Sequence, residues 1–495
     1  MKKLKILLIV LFTAGFGACD ILDGPAPEQS LTLEEVITNE DGLRNLLSGM
    51  FNTYQDSDLG GANFAILPDI MSGDVSWTGS FPSYQQVHQF NQDAGNGEVS
   101  QWWSNAYTGI NTANLIIESV GAIDDPTFST EDQNDILGQA YYIRGVLYFE
   151  LTRMFGKRWG ATADNSHPGV PVRTAPVKSE PDFEDLPRGT VADGYTRAIA
   201  DFGEAANLLT SSVATSNDGF ATGAAANGYL MRIAMAQQRF DDAAVIAEQI
   251  LGESYSLEGN IANVYSESSA EVIARVVQSI QDNNGVNGSL STFYASTSLG
   301  GRGDAQASPA YLAALDEIIT DSQQTNLDAL GHTAVDDRAT VLLSGNATLK
   351  YPDGLNTADD TIVLRVAEVM LSRAEALAED TGLNIESLNL LNEIRTRSID
   401  VVDANGVPQD ETVIEYTLAD FATAEELIDA ILLERRIELG FEGDRFHTLV
   451  RRGMDITSAS GISSTAEGDR IVFPIPQSEI DANTAISEAD QNPGY

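Results

Sequence analysis

The sequence is poor in cysteine, lysine and histidine. Cys19 is the only cysteine, so no internal disulfide can form and stability has to come from packing. Three of the lysines sit in the first five residues, and beyond residue 18 only Lys157, Lys178 and Lys350 remain. Basic residues number 28 against 73 acidic ones, a net charge of −45, which becomes −48 once the first 18 residues are removed. Such a surface repels phosphate backbones and excludes nucleic acid as a partner. A large acidic excess with so little lysine also suits a protein bathed in high salt, where screening relieves self-repulsion. After the first residues no apolar run is long enough to span a membrane, for which roughly 20 residues are needed.

The first 19 residues have the layout of a secretory signal. Lys2, Lys3 and Lys5 precede the apolar run Ile6–Phe16, then Gly17 and Ala18, then Cys19. A cysteine directly after small residues resembles the bacterial lipoprotein signal, which predicts cleavage after residue 18 and acylation of Cys19. Several acyl chains on one residue hold a protein firmly to a membrane, where a single chain is marginal. Phe16 departs from the Leu usual three places before the cysteine. Residues 19–30, broken by Pro25 and Pro27, read as the tether, and 31–495 as one domain.

Past the tether, Leu33–Tyr54 reads as a first helix with Thr32 and Glu35 as its capping box. Residues 62–97 are rich in Gly, Ser, Asn and Asp and carry no helical period over much of their length. Gln101–Val120 returns to a helix. From Gln139 onward the chain reads as paired helices resembling tetratricopeptide repeats, over about 139–251 and 361–452. Four pairs are expected: Gln139–Phe155 with Val191–Leu209, one pair within Ala224–Leu251, one within Thr361–Ser398, and the last near Glu425–Arg452. In the third, Val363, Val366, Ala367, Met370 and Ala374 step along one face. A second irregular region, about 260–351, holds an expected strand at Ala270–Ser279 and a short helix after Ser308. The fold class is therefore mainly all-α: a helical repeat scaffold with loop-rich insertions forming the ligand face.

Several stretches together resemble the SusD/RagB family: WWSNAYTGINTAN (Trp102–Asn114), YYIRGVLYFELTRMFG (Tyr141–Gly156), LLERRIELGFEGDRFHTLVRRG (Leu432–Gly453), FPIPQSEIDAN (Phe473–Asn483) and the final QNPGY. The resemblance covers most of the chain, in order. It implies a surface lipoprotein of Bacteroidetes-like bacteria, anchored to the outer membrane, that binds a nutrient and sits as a lid on a TonB-dependent, SusC-like transporter. Glu434, Arg435, Arg436, Glu438, Glu442, Asp444 and Arg445 crowd the last helices. They read either as a polar binding site or, preferably, as a charge-paired network fixing those helices to the repeats. Asn111 and Asn114 read as packing and capping groups.

No catalytic signature stands out, and no cofactor or metal is implied. His88, His167, His332 and His447 are isolated. Asp403, Asn405 and Gly406 match the middle of a calcium loop, but Val401 and Thr412 fall where its first acid and closing Glu belong, so a polar turn is expected. A glycosidase pair cannot be singled out among so many acids. A sugar-binding face needs exposed aromatics for the C–H faces of the ring and polar groups for its hydroxyls. Both irregular regions supply them: Asp69, Asp74, Trp77, Phe81 and Tyr84 in the first, Tyr294 with Arg302 and Asp304 in the second. The competing reading is that Trp77 and Phe81 plug the loop onto the scaffold. The function these readings favour is non-catalytic capture of an oligosaccharide; peptide capture, a glycan-cleaving enzyme and a scaffold that binds only protein are the alternatives.

Overall fold

The computed structural model describes residues 37–179, 182–209 and 219–495. The expected signal, Cys19, the tether and the Thr32–Glu35 capping box lie outside them.

The first described helix, α1 (Glu40–Gln55), starts later than the sequence suggested. Asn39 is its N-cap, and its side chain accepts the Gly42 N–H at 3.0 Å. Two helices, α2 (Asn63–Met71) and α3 (Pro82–His88), then occupy the stretch expected to be irregular, with strand β1 (Val75–Trp77) between them. Helix α2 is NFAILPDIM, apolar on nearly every side and carrying Pro68, and all but one of its residues are buried. A helix sunk into the core on all faces shows no amphipathic period. Helix α4 (Gly97–Ser119) is capped by Asn96 and buries both Trp102 and Trp103.

The repeats follow. Helices α5 (Thr130–Phe155) and α6 (Val191–Leu208) form the first pair, and Thr190 and Asp193 close a capping box on α6. The second pair is α7 (Gly223–Ala236) and α8 (Phe240–Leu251). Strand β2 (Val272–Val276) lies inside the expected 270–279 segment, followed by α9 (Leu290–Tyr294), β3 (Ala305–Ala307) and α10 (Pro309–Asp316), which Ser308 caps. Strands β4 (His332–Asp336) and β5 (Thr361–Arg365) precede the third pair, α11 (Val366–Thr381) and α12 (Ile385–Ser398). Strand β6 (Ile399–Asp403) pairs antiparallel with β4, and α13 (Ala424–Glu438) with α14 (Asp444–Arg451) completes the fourth pair. Packing runs α5–α6–α7–α8–α11, and both α12 and α13 lie against α11, so the first three pairs and α13 form one continuous stack, while α14 packs on α2. The architecture is mainly helical with tetratricopeptide-like pairs, as the sequence indicated.

One helix start needs correction. Val363 belongs to β5, not to α11: the run TIVLR is β-branched and pairs antiparallel with β2, Thr361 opposite Val276 and Arg365 opposite Val272. The Asp403 turn is polar as expected. Its Oδ1 accepts the Asn405 and Val407 N–H groups at 2.8 and 3.0 Å, and Gly406 adopts φ +77°.

The buried acidic and basic side chains of α13 are paired. Glu438, fully buried, accepts Arg365 at 2.7 Å and also pairs with Arg397 and Arg338. Glu434 pairs with Arg338 and, at 3.1 Å, with Arg395. Burial by itself would raise the Glu438 carboxyl, but Arg397, Arg365 and Arg338 hold it well below the usual carboxylate range. Arg365 and Arg397 also bind Glu271, at 2.7 and 3.1 Å, so one network joins β2, β5, α12 and α13. Asn114 does comparable work near the first pair. It accepts Arg144 at 2.6 Å and donates to the Arg173 carbonyl at 3.1 Å, while Asn111 exchanges two hydrogen bonds with the Val177 backbone. Both pin the Pro-containing insertion between α5 and α6.

Candidate functional site

Strands β1 and β3 pair antiparallel, with Trp77 opposite Ala305, and this brings the two loop-rich regions together. Trp77 stacks on Tyr84 at 4.7 Å and 19°, and Phe293 closes against both rings at 5.6 and 5.3 Å. The Tyr84 hydroxyl donates to Asn63 Oδ1 at 2.8 Å. Trp77 and Tyr84 are only 4% and 3% exposed, so neither ring offers a face to solvent. The Tyr294 hydroxyl donates to Asp69 at 2.6 Å, and the Gly443 N–H donates to the same carboxyl at 3.0 Å. Burial pushes the Asp69 carboxyl up to about 8. Asp74 accepts Arg436 at 2.6 and 3.0 Å.

Asp69, Asp74, Trp77, Tyr84 and Tyr294 are thus interior. The expectation that their side chains stand exposed on a sugar face is corrected. The β1–β3 pairing and Phe293 cover Trp77 and Tyr84, and Tyr351 and Phe441 pack on Tyr294. Asp69 and Asp74 are taken up by Tyr294 with Gly443 and by Arg436. Of the seven expected contacts, Phe81 and Arg302 alone are half-buried rather than buried. The Arg302 guanidinium lies 4.9 Å over the Phe81 ring and 5.4 Å over Phe293. It donates to Asp304 at 2.7 Å, to the Val286 carbonyl at 2.7 Å and to Asn287 Oδ1 at 2.9 Å. Its Nη2, like the Trp77 Nε1 beneath, has no protein partner.

Sequence reasoning placed the Gly/Ser-rich loop from Asn283 to Arg302 in an irregular region but missed the 353–357 turn that closes on it. The 353–357 turn packs on the 296–303 loop so closely that a Cβ at Gly354 would sit 2.3 Å from the Gly301 nitrogen. Thr357 Oγ1 donates to Asn283 Oδ1 at 2.7 Å, tying in the 283–288 loop. Leu355 is 79% exposed and Val286 61%, and Asn287 and Asn356 beside them are exposed as well. The surface thus combines one aromatic edge, two exposed aliphatic side chains, amides and an arginine. Gly300, Gly301, Gly303 and Gly354 were the available signal, since close backbone approach requires glycine.

The fold and this face define a helical-repeat binding protein with a loop-built surface. Residues 22–235 match the family described as "Starch-binding associating with outer membrane", and residues 339–495 match the SusD family. The chain belongs to the SusD/RagB family, a family of outer-membrane-associated binding proteins. It is 23% identical to SusD-like protein P2 of Formosa agariphila over the whole of both chains. A SusD superfamily protein of Bacteroides thetaiotaomicron superposes with a TM-score of 0.76 at 23% identity, covering 94% of this chain and all of that one. A laminarin binding SusD-like protein superposes at 0.67 with 20% identity, covering 92% and 100%. No helix among the described residues is long and apolar enough to cross a membrane.

Proposed function

We propose that this protein captures an oligosaccharide at the Phe81–Arg302 face and passes it to a TonB-dependent, SusC-like outer-membrane transporter. In this reading a body formed by residues 31–495 is held at the cell surface by lipid on Cys19. The observation that carries the binding site is the half-buried Arg302–Phe81 pair, a guanidinium spread over the ring beside exposed Leu355 and Val286. Aromatic and aliphatic groups suit the C–H faces of a sugar, and Arg, Asn287 and Asn356 suit its hydroxyls. The laminarin-binding neighbour and the starch-binding family description support a glycan over a peptide. Trp77, Tyr84, Asp69, Asp74 and Tyr294 support this face from below.

Co-purification of the native protein from mild-detergent membranes, followed by mass spectrometry, tests the transfer role. A stoichiometric TonB-dependent transporter is the expected companion, and recovery of the protein alone counts against it. Titration with a glycan panel tests capture. Release of new reducing ends in the same assay identifies a hydrolase instead.

A further inference from the structure

The Phe81–Arg302 face carries very little positive charge. Arg302 is the only arginine or lysine in the segments that build and border it, residues 55–61, 78–98, 280–304 and 353–360. Its charge is matched on the spot: Nε lies 2.7 Å from Asp304, whose side chain is 13% exposed. Nη1 donates to the Val286 carbonyl at 2.7 Å and to Asn287 Oδ1 at 2.9 Å, and Nη2 is buried. A carboxylate or sulfate is held best by two parallel guanidinium N–H groups presented together. No such fork is offered here. The Nη1 edge, whose bonds lie at the exposed side, suits a single hydroxyl.

Negative charge borders the face in two clusters. The 55–61 segment meets the 283–288 loop at Ser57, where a Cβ on Gly288 would come within 2.6 Å of the serine side chain. Behind it, Asn63 Nδ2 reaches both Asp58 and Glu98, at 3.5 and 3.1 Å, and Asn105 Nδ2 reaches both Asp56 and Asp58, at 3.4 and 3.3 Å. Glu98 also accepts the Ser83 hydroxyl at 3.3 Å, two residues from Phe81. The second cluster is on the 353–360 turn. Asp359 accepts the Asp353 N–H at 2.6 Å, and Asp360 pairs at 2.8 Å with Arg275, whose side chain is only 5% exposed. No arginine or lysine among the described residues forms an ion pair with Asp56, Asp58, Glu98, Asp353 or Asp359. Burial, and next the Asp56 and Glu98 charges, pushes the Asp58 carboxyl up to about 7. Burial, with the Asp353 and Asp360 charges adding to it, pushes Asp359 up to about 6. Carboxylates that resist ionising beside their neighbours mark ground where one more negative charge is opposed. The net charge of −45 extends a field of the same sign.

We propose that this face selects uncharged glycans against uronate- and sulfate-bearing ones, and that Asp304 sets the choice by neutralising Arg302. The selectivity rests on the reading of the face as the capture site. An anionic sugar meets two groups of carboxylates and no guanidinium fork. A neutral ring keeps its C–H contacts with Phe81, Val286 and Leu355 without that repulsion.

The test is calorimetric titration of the full mature chain with oligosaccharides matched in length. Laminari-, malto- and xylo-oligosaccharides are the neutral probes; oligogalacturonate and a sulfated galactan oligosaccharide are the acidic ones. At least one neutral probe is expected to saturate, with an affinity that changes less than about twofold between dilute buffer and molar salt. Acidic probes are expected to bind at least roughly tenfold more weakly, and to tighten as salt screens the repulsion. Asp304→Asn frees the guanidinium while keeping the shape of the side chain, and is expected to narrow that gap roughly three- to tenfold. The salt series on the natural protein decides by itself if the variant does not fold. Equal or tighter binding of an acidic probe by the natural protein, or an acidic affinity that falls with salt, overturns the proposal. An unchanged gap in folded Asp304→Asn does the same. Neutral binding left intact in both Phe81→Ala and Arg302→Ala, or no saturation by any probe, overturns the reading of the face itself and the selectivity with it.

Discussion

Asp74 and Arg436 stand 362 residues apart in the chain and meet as a two-pronged ion pair, with N–O distances of 2.6 and 3.0 Å. Asp74 is 5% exposed at its side chain and Arg436 18%. The pair fastens the stretch leading into β1 to the last repeat pair, so the framework under the loop face depends on it. Asp74→Ala is expected to lower stability by about 3 kcal/mol, because it strands a largely buried guanidinium. The unfolding midpoint in denaturant checks this, and a shift within error of zero would show the pair to be dispensable.

Three substitutions should separate support from contact. Phe81→Ala and Arg302→Ala are expected to weaken oligosaccharide binding roughly tenfold each with little change in thermal unfolding. Trp77→Ala removes a core ring and is expected to cost about 3–5 kcal/mol of stability. Binding lost in Trp77→Ala is therefore interpretable only next to its melting curve. Normal binding by both Phe81→Ala and Arg302→Ala would move the site elsewhere.

Asp69 makes a pH prediction of definite sign. Its folded carboxyl titrates at about 8, above the ordinary carboxylate value near 4, so between those limits the folded state holds a proton that the unfolded state has released. Stability contributed at this position therefore falls as pH rises through that window. Asp69→Asn removes the titration, and its stability relative to the natural protein is expected to improve steadily from pH 5 to pH 8. A pH-independent difference would place the Asp69 carboxyl at an ordinary value.

Glu438 works in the opposite direction. Its carboxyl is held below the ordinary range by three guanidinium groups, so its contribution is present above the unfolded value near 4 and is lost as pH falls through the lower folded value. Glu438→Gln is expected to lose most stability at neutral pH and to converge on the natural protein in strong acid. Parallel curves down to the acid limit would contradict the network.

The net charge of −45 predicts that salt stabilises this protein. Screening has a range of about 10 Å at 0.1 M salt and about 3 Å at 1 M, enough to quiet repulsion between exposed carboxylates. The unfolding temperature should climb from dilute buffer to molar sodium chloride. A flat profile would remove the link between acidity and a saline habitat.

The sequence by itself determined the helical-repeat scaffold and the family, because helix pairs are written locally. The apolar steps of α7, α8, α11 and α12 recur at three and four residues, and the caps at Thr190 and Asn384 sit next to the helices they start. The paired reading of the α13 charges was accessible for a similar reason, since so many charges on an otherwise apolar helix have to find partners. Helix α2 escaped because burial on nearly all sides erases its period, and β5 because it runs directly into α11. Only the tertiary structure decided which aromatics are core and which face outward. Trp77, Tyr84 and Tyr294 look like stacking platforms in the linear chain. Whether a ring is exposed depends on what covers it, and here the cover comes from Phe293 and from strand β3, more than 200 residues beyond Trp77.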